Sequence, residues 1–260
     1  MTMDSPTHTF YHIHGIDSRD HLDLYLSNKE DMIFGDDSLK FPIMNFYYQF
    51  SSGKIKGNFL IDISFGGFIH HLYSASNYFK DMAILKFTDK CIMEITRWQH
   101  DRTGAYDWKH ASTAAAEFEG MREQQEIEMC LKSSVKQVLK CDIDQENITA
   151  PVVLPLADCV VVACILEAIS KTKDEYVRNL EKFLKLLKPG GHLLLWGILD
   201  ISYMVVGKKR VHFFKYDETF VKDVLLKLGL VIDYYAVQRR RNKSDLIDYG
   251  GVIFISAHRE

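Results

Sequence analysis

The residues that could act on a ligand follow apolar runs of the kind that form buried strands. Gly66 and Gly67 come directly after the run at 58–63. Lys86 lies near the end of the next apolar run, and Asp142 ends the third. Ligands of open α/β sheets bind beyond the carboxyl ends of the strands, so these positions predict a ligand cleft at one sheet edge. Glycines let the backbone approach a ligand closely, an aspartate accepts hydrogen bonds, and a lysine only donates them.

Metal sites find no support in the residue spacing. The acidic run at 142–146 resembles the start of a calcium loop, but Asn147 and Val153 stand where such a loop needs its glycine and its bidentate glutamate. His70 and His71 are adjacent on a predicted helix, so they cannot face one metal ion, and we expect them to be solvated or to cap the helix. The five cysteines include no C-x-x-C pair. The sequence therefore predicts no metal, and no spacing identifies a catalytic residue.

Composition restricts the class of protein. The chain has 260 residues, 47% of them hydrophobic and 26% charged, as in one globular domain. A net charge of −3 predicts neither a nucleic-acid partner nor an anionic-membrane partner. Asp158 and Glu167 interrupt the most apolar stretch, Val152–Ile169, so no membrane span is expected, and the first 15 residues show no signal peptide. An odd number of cysteines indicates free thiols in a reducing compartment, so we expect a cytoplasmic protein.

Strands and helices alternate beyond residue 55, which predicts a largely parallel sheet covered by helices on both faces. The predicted strands are Asn58–Ile63, Met82–Phe87, Val135–Asp142, Asp158–Cys164, His192–Ile198, Leu230–Gln238 and Val252–His258. The predicted helices are Arg19–Asn28, Leu39–Phe50, one from Phe68, one after an Asp89 cap, Glu175–Leu187 and Asp217–Leu228. The last two strands are expected to form an antiparallel hairpin whose basic tip, Arg239–Lys243, is solvated.

Several segments resemble those of one enzyme family. They are LIDISFGG at the first strand, KCD at the third, LADCV at the fourth, LLKPGGHLLL at the fifth, YMVVG after it, and GAYDW at Gly104–Trp108. The chain is similar in these segments to the S-adenosylmethionine-dependent N-methyltransferases that act on nicotinamide, indolethylamines and phenylethanolamine, over nearly its whole length. The resemblance implies a class I, Rossmann-like α/β fold with a seven-stranded, mostly parallel sheet. It also implies a single domain, 1–260, with an N-terminal helical cap at 1–55 and a helical insertion at 101–134.

The resemblance also implies ligands and the residues that bind them. It predicts S-adenosylmethionine as cofactor, a small amine or heteroaromatic compound as methyl acceptor, and a monomer. The implied cofactor contacts are Tyr25, Ser64, Gly66, Lys86, Phe87, Asp142 and Ile143. The implied acceptor contacts are Gly197, Ile201 and Met204.

The sequence departs from the family pattern in four places of that site. Phe65 and Phe68 replace small residues of the first turn, where they either fill the cofactor cavity or point into the helix-sheet core. Lys86 replaces an aspartate that accepts hydrogen bonds from the ribose, and it either points to water or into the site. In the N-terminal lid, which closes on the cofactor in the family, His21 and Leu26 stand in place of two tyrosines, with Tyr25 kept between them. In the acceptor pocket, Gly197, Ile201 and Met204 stand where the family has polar residues.

These departures leave three functions open. The first is a family member whose methyl transfer is weakened or lost, because its cofactor and acceptor sites are eroded. The second is a fully active N-methyltransferase for a small amine, because methyl transfer depends mainly on alignment of the reactants. The third is a protein that binds a phosphorylated nucleotide through Lys86, since a cation at this strand end suits a ribose phosphate.

Overall fold

The computed structural model describes residues 8–27, 35–120 and 122–260. The strands are β1 (His8–Thr9), β2 (Phe59–Ser64), β3 (Asp81–Lys86), β4 (Val135–Lys140), β5 (Ala157–Ala163), β6 (Leu187–Leu199), β7 (Tyr203–Val206), β8 (Lys209–His212), β9 (Leu230–Arg239), β10 (Ile247–Asp248) and β11 (Gly251–Arg259). The α-helices are α1 (Tyr11–His14), α2 (Ser18–Tyr25), α3 (Gly35–Ser38), α4 (Lys40–Ser51), α5 (Asp89–Gln99), α6 (Lys109–Glu119), α7 (Gln124–Ser134), α8 (Leu166–Ile169), α9 (Lys173–Leu184) and α10 (Glu218–Lys227).

Seven strands form the main sheet, in the order β4-β3-β2-β5-β6-β11-β9. All neighbouring strands are parallel except β11, which runs antiparallel to both β6 and β9. The central strands are mostly apolar in sequence because helices bury both of their faces. The structure thus confirms the predicted α/β fold with its seven-stranded, mostly parallel sheet and its final antiparallel hairpin.

A second, smaller sheet has the order β1-β8-β7-β10. Its strands are two to four residues long, and the chain segments that pair in it are up to about 200 residues apart, as in the pairing of His8 with Arg210. The sequence prediction did not include this sheet. It matters for the site because it faces the N-terminal helix α2.

The prediction of an α-helix from Phe68 is wrong. Two short 3-10 turns stand there instead, His70–Leu72 and Ser74–Asn77. The tyrosine, serine and asparagine residues of this segment are weak helix formers, and tertiary contacts of the two histidines set the backbone instead. His70 and His71 are buried rather than solvated, which corrects a second expectation.

Helix ends differ in smaller ways from the prediction. Helix α5 is capped by Thr88, whose hydroxyl accepts from the Cys91 N–H at 3.3 Å, and not by Asp89. Helix α9 ends at Leu184, so that Leu187 already belongs to β6. The predicted end of the first helix at Asn28 lies outside the described residues. Residues 101–134 carry α6 and α7, while the proposed limits of the cap and the insertion remain predictions.

Within the described residues, no helix has the length and apolar character to cross a bilayer.

Candidate functional site

The turn at Ser64–Phe68 lies at the carboxyl end of β2, where the predicted cleft begins. Gly66 has a φ of +54°, a left-handed conformation that favours glycine. A Cβ atom on Gly66 would lie 3.0 Å from Nδ1 of His21, and one on Gly67 would lie 2.8 Å from Oγ of Ser18. Both contacts belong to α2. Because these two glycines have no side chains, α2 packs directly against the turn.

Tyr11 occupies a backbone donor of the same turn. Its hydroxyl accepts the Gly66 N–H at 3.1 Å and lies 3.6 Å from the Cys91 sulfur. The side chain is fully buried, and burial raises the pKa of the hydroxyl well above its usual range. A backbone N–H of this turn is thus already bonded to a protein side chain.

Phe65 and Phe68 both point inward and are 1% exposed. The Phe65 ring lies 4.5 Å from the Tyr11 ring and 5.1 Å from His21, measured between centroids. The Phe68 ring stacks on Trp196 at 5.3 Å, with an angle of 21° between the rings. Their neighbours therefore lie in the lid, which consists of α1 and α2, and near the end of β6. Together these side chains pack the space between lid and turn with apolar volume.

Lys86 is fully buried, which rules out the expectation that it points to water. Its ammonium donates to Oγ of Ser64 at 2.6 Å and to the backbone oxygen of Phe68 at 2.9 Å, with the Ser64 carbonyl at 3.4 Å. Burial lowers the pKa of Lys86, and the charge of Asp62 opposes that shift. The three donors of the ammonium face three acceptors of the protein, so none is left for a phosphate.

A buried polar chain continues from Lys86 beneath the turn. The Ser64 hydroxyl donates to Oδ2 of Asp62 at 2.5 Å, and Nε2 of His71 lies 2.7 Å from the other Asp62 oxygen. Satisfied partners of this kind make buried charges tolerable. His70 is engaged too, since its Nε2 lies 2.7 Å from the Ser38 carbonyl.

The lid is fastened at its far end by Tyr25. Its hydroxyl lies 2.7 Å from the carbonyl of Val205 in β7 and 3.0 Å from the carbonyl of Leu246, the residue before β10. Burial raises the pKa of this tyrosine. Arg19 holds the other side of α2 through Glu94, at 2.5 Å. Tyr25, predicted to contact the cofactor, thus directs its hydroxyl to backbone oxygens.

His21 sits at the centre of the closed lid. Neither of its ring nitrogens has a hydrogen-bond partner among the described residues, and the ring is fully buried. Burial, with the charge of Lys86 as a second cause, lowers the pKa of His21 to about 3. The imidazole ring is therefore neutral near pH 7, and it packs against the rings of Phe65 and Phe68.

Three predicted cofactor contacts come together at an open cavity. Phe87, Asp142 and Ile143 line a space of about 590 Å³ beyond β3 and β4. Lys182 of α9 donates to the Ile143 carbonyl at 2.5 Å and fixes this loop. The Asp142 carboxylate is exposed and accepts the Asp144 N–H at 3.0 Å. This part of the cleft is open where the turn at Ser64–Phe68 is closed.

The predicted acceptor residues are buried. Gly197 belongs to β6, and a Cβ atom there would lie 2.1 Å from the Tyr216 hydroxyl. Ile201 and Met204 are buried, at 0% and 1% exposure. The room left by the missing side chain of Gly197 is therefore taken up by a tyrosine of the same chain.

The sequence analysis did not assign a role to Glu167, which lies beside this region. Its carboxylate accepts the Ile198 N–H at 2.7 Å, and burial raises its pKa to about 7. The sequence signal for a buried Glu167 is its position as a carboxylate within the apolar stretch Val152–Ile169. In the described part of the chain no group of three or more potential ligands could hold a metal ion.

Comparison with known proteins decides the family. A model of the NNMT/PNMT/TEMT family matches residues 7–260. The chain belongs to this family. It is 33% identical over 244 residues to indolethylamine N-methyltransferase of Oryctolagus cuniculus, covering 93% of this chain and 92% of that protein. It is 30% identical over 242 residues to human nicotinamide N-methyltransferase, covering 93% and 92% of the two chains.

Solved structures agree with the fold. Magnesium protoporphyrin IX methyltransferase of Synechocystis, solved with bound SAH, superposes with a TM-score of 0.59 at 11% identity and covers 96% of each chain. The glycopeptide N-methyltransferase MtfA, solved with S-adenosylmethionine, gives a TM-score of 0.55 at 7% identity and covers 84% and 94%. At such identities the likeness shows the fold alone.

In this member of the NNMT/PNMT/TEMT family, the predicted cofactor residues divide into two groups. Phe87, Asp142 and Ile143 line the open cavity. The remaining four residues make contacts within the protein instead, either with the lid and the smaller sheet or with the buried polar chain; they are Tyr25, Ser64, Gly66 and Lys86. Their roles in ligand binding remain predictions.

Proposed function

We propose that this family member binds S-adenosylmethionine weakly or not at all, and that its methyl transfer is weakened or lost. The observation that carries the proposal is the buried ammonium of Lys86 at the turn after β2. The cofactor is itself a sulfonium cation. Like charges repel strongly where water is excluded, so a fixed cation at this turn opposes binding of a second one.

The packing of the lid supports the same conclusion. To admit the methionine part of the cofactor, the turn must release the Gly66 N–H from Tyr11, and the rings of Phe65 and Phe68 must leave their buried positions. Exposing one such ring costs about 1.5–3 kcal/mol. A cofactor that meets these costs loses affinity by the same amount, about ten- to a hundredfold per ring.

Calorimetric titration of the full chain with S-adenosylmethionine and S-adenosylhomocysteine tests the proposal. We expect no heat of binding at ligand concentrations of hundreds of micromolar. Human nicotinamide N-methyltransferase, titrated in the same buffer, serves as the active comparison. Dissociation constants in the low micromolar range for this chain would overturn the proposal.

A fully active N-methyltransferase is the second candidate, and the open cavity at Asp142 and Ile143 is the observation that favours it. The relatives are named for the methylation of small amines and a heteroaromatic amide, so the acceptor would be of that class. Transfer of a radiolabelled methyl group to a panel of such compounds would establish this candidate and exclude the first.

We further infer that the protein acts in the cytoplasm as a monomer. All five cysteines are free, and four of them are buried. Buried free thiols suit a reducing compartment. Fractionation of cells that express the chain, followed by sedimentation of the purified protein, tests both statements. Recovery from the secretory pathway, or a dimer at micromolar concentration, would contradict them.

A further inference from the structure

Helix α2 closes over the turn at Ser64–Phe68 with a histidine at the middle of the contact. The His21 ring is 0% exposed, and its centroid lies 5.1 Å from that of Phe65 and 5.2 Å from that of Phe68. A Cβ atom on Gly66 would lie 3.0 Å from Nδ1 of this ring. The imidazole can therefore reach solvent only if α2 moves away from the turn.

The centre of this contact leaves polar atoms of α2 without partners. The two ring nitrogens of His21 and the hydroxyl oxygen of Ser18 are buried, and none of them has a hydrogen bond to a described residue. Buried polar groups normally have partners, and an unsatisfied one has lost the bonds that it makes to water in the open. All three atoms regain those bonds when α2 leaves the turn. The closed position of α2 is thus unfavourable for the polar atoms at its centre, although its aromatic packing is favourable.

Polar bonds at the rim of the contact hold α2 in place. The Tyr25 hydroxyl donates to the carbonyls of Val205 and Leu246, and Arg19 pairs with Glu94. These partners lie in β7, before β10 and in α5, outside the main sheet. A helix of eight residues is not stable by itself in water, so the position of α2 depends on these bonds and on its packing. Helix α2 can therefore leave the turn while the main sheet stays folded.

The groups that face His21 from the neighbouring helices and strands do not favour a second cation. The charge that acts on His21 is the ammonium of Lys86 in β3, which repels an imidazolium ion. Tyr11 of α1 and Tyr25 of α2 are phenols whose pKa is raised by burial, so both are neutral between pH 5 and pH 8. His12 of α1 lines the open cavity instead.

The turn and β2 offer no counter-ion to a protonated His21 either. Asp62 of β2 accepts from the Ser64 hydroxyl and lies 2.7 Å from Nε2 of His71, beneath the turn. His70 is a second buried imidazole, and burial lowers its pKa as well. Within the part of the chain that the structure describes, no carboxylate is bonded to either nitrogen of His21. A buried cation without a partner is strongly disfavoured, so His21 can hold a proton only when α2 is away from the turn.

We propose that protonation of His21 releases α2 from the turn while the main sheet stays folded, so that the closed part of the cleft opens in acid. The closed state holds a neutral imidazole between aromatic rings. The released state holds it in water, where it accepts a proton. This release goes beyond the proposed function, because it does not depend on which ligand the cleft takes.

The size of the effect follows from the two environments of the imidazole. In the closed state, burial lowers the pKa of His21 from 6.5 to about 3, so the ring stays neutral down to pH 5. In the released state, the pKa returns to about 6.5. Proton binding then favours the released state as the pH falls, and its equilibrium constant rises about thirtyfold from pH 8 to pH 5.

Amide hydrogen exchange of the full chain, measured from pH 5 to pH 8 and corrected for intrinsic exchange rates, tests the proposal. The amides of α2 should open at least about tenfold more often than those of β5 at every pH, because a central strand exchanges only when the whole domain unfolds. The opening constant of α2 should also rise about thirtyfold from pH 8 to pH 5. Equal protection of α2 and β5 would show that α2 opens only by global unfolding and would overturn the proposal. An opening constant of α2 that does not change with pH would overturn it as well.

Substitutions identify the group that takes the proton. His21→Phe keeps a ring that cannot be protonated, so exchange of α2 should not depend on pH between 5 and 8, and the smaller, uncharged His21→Gln should give the same flat profile. His100→Asn is the control, because His100 is an exposed histidine at the end of α5, and this variant should keep the thirtyfold rise. Tyr25→Phe removes hydrogen bonds at the rim, so it should raise exchange of α2 at every pH and keep the same ratio between pH 5 and pH 8. A thirtyfold rise that persists in both His21 variants would show that another group drives the release, which would overturn the proposal.

Discussion

Replacing Phe65 by serine tests whether the ring fills the closed part of the cleft. The ring is 1% exposed and touches Tyr11, His21 and Phe213. Removing a fully buried phenyl ring costs about 3–5 kcal/mol, because the lost burial is joined by the cavity left behind. In a domain of this size, 1 kcal/mol shifts the melting temperature by about 2–4 °C. We therefore expect Phe65→Ser to melt about 6–20 °C below the parent.

The cavity that Phe65→Ser creates should also admit ligand. Thermal unfolding is measured with and without S-adenosylhomocysteine, which lacks the sulfonium charge that the Lys86 ammonium repels. It is measured for the parent, for Phe65→Ser and for Phe183→Ser, which removes an equally buried ring on α9. At ligand tenfold above Kd the stabilisation is about 1.4 kcal/mol, or about 3–6 °C. Only Phe65→Ser should respond. An unchanged melting temperature in this variant would refute the packing argument, and an equal ligand response in Phe183→Ser would refute the location of the cavity.

Three further outcomes are expected from single substitutions and are measured by urea denaturation. Lys86→Met leaves its acceptors without a donor and should lower the free energy of unfolding by about 1–3 kcal/mol, whereas Lys140→Met, at the exposed register partner, should leave it unchanged. Because the pKa of His21 is lowered from 6.5 to about 3, the unfolded chain binds a proton in this window that the folded chain does not. Stability should fall by about 2–3 kcal/mol from pH 7 to pH 4.5, and His21→Leu should remove that share; an equally steep profile in the variant would contradict it. The pKa of Glu167 is raised from 4.5 to about 7, so its share of stability is lost as the pH rises through this window. Glu167→Gln should remove that loss of about 3 kcal/mol in the free energy of unfolding. If stability falls as steeply with rising pH in the variant as in the parent, the burial of the carboxylate is contradicted.

The sheet was predictable from the sequence because its signal is local. Strands such as β2 and β5 are mostly apolar runs, and their alternation with helices determines the parallel arrangement. Asp142 and Phe87 line one cavity because each comes at the end of a strand at the same edge of the sheet, while their role in cofactor binding stays a prediction. The smaller sheet was missed because strands of two to four residues carry no periodicity.

The closure of the cleft was only partly predictable. The residue types of Phe65 and Lys86 indicated that the cofactor site could be closed. The direction of a single side chain, however, cannot be predicted from sequence periodicity. The bond from the Gly66 N–H to Tyr11 joins residues 55 positions apart, and such pairings depend on the folded lid. His70 and His71 were expected to be solvated or to cap a helix because a regular helix was assumed, and the 3-10 turns bury both of them.

Crystallisation of the protein with millimolar S-adenosylhomocysteine tests the closed turn most directly. The ligand lacks the sulfonium charge, so it isolates the effect of packing from that of repulsion. We expect no ligand density at residues 64–68, with the Lys86 ammonium still bonded to Ser64 and Phe68 and the Tyr11 hydroxyl still on the Gly66 N–H. Density for the amino-acid part of the ligand along this turn, with Lys86 displaced, would contradict the account.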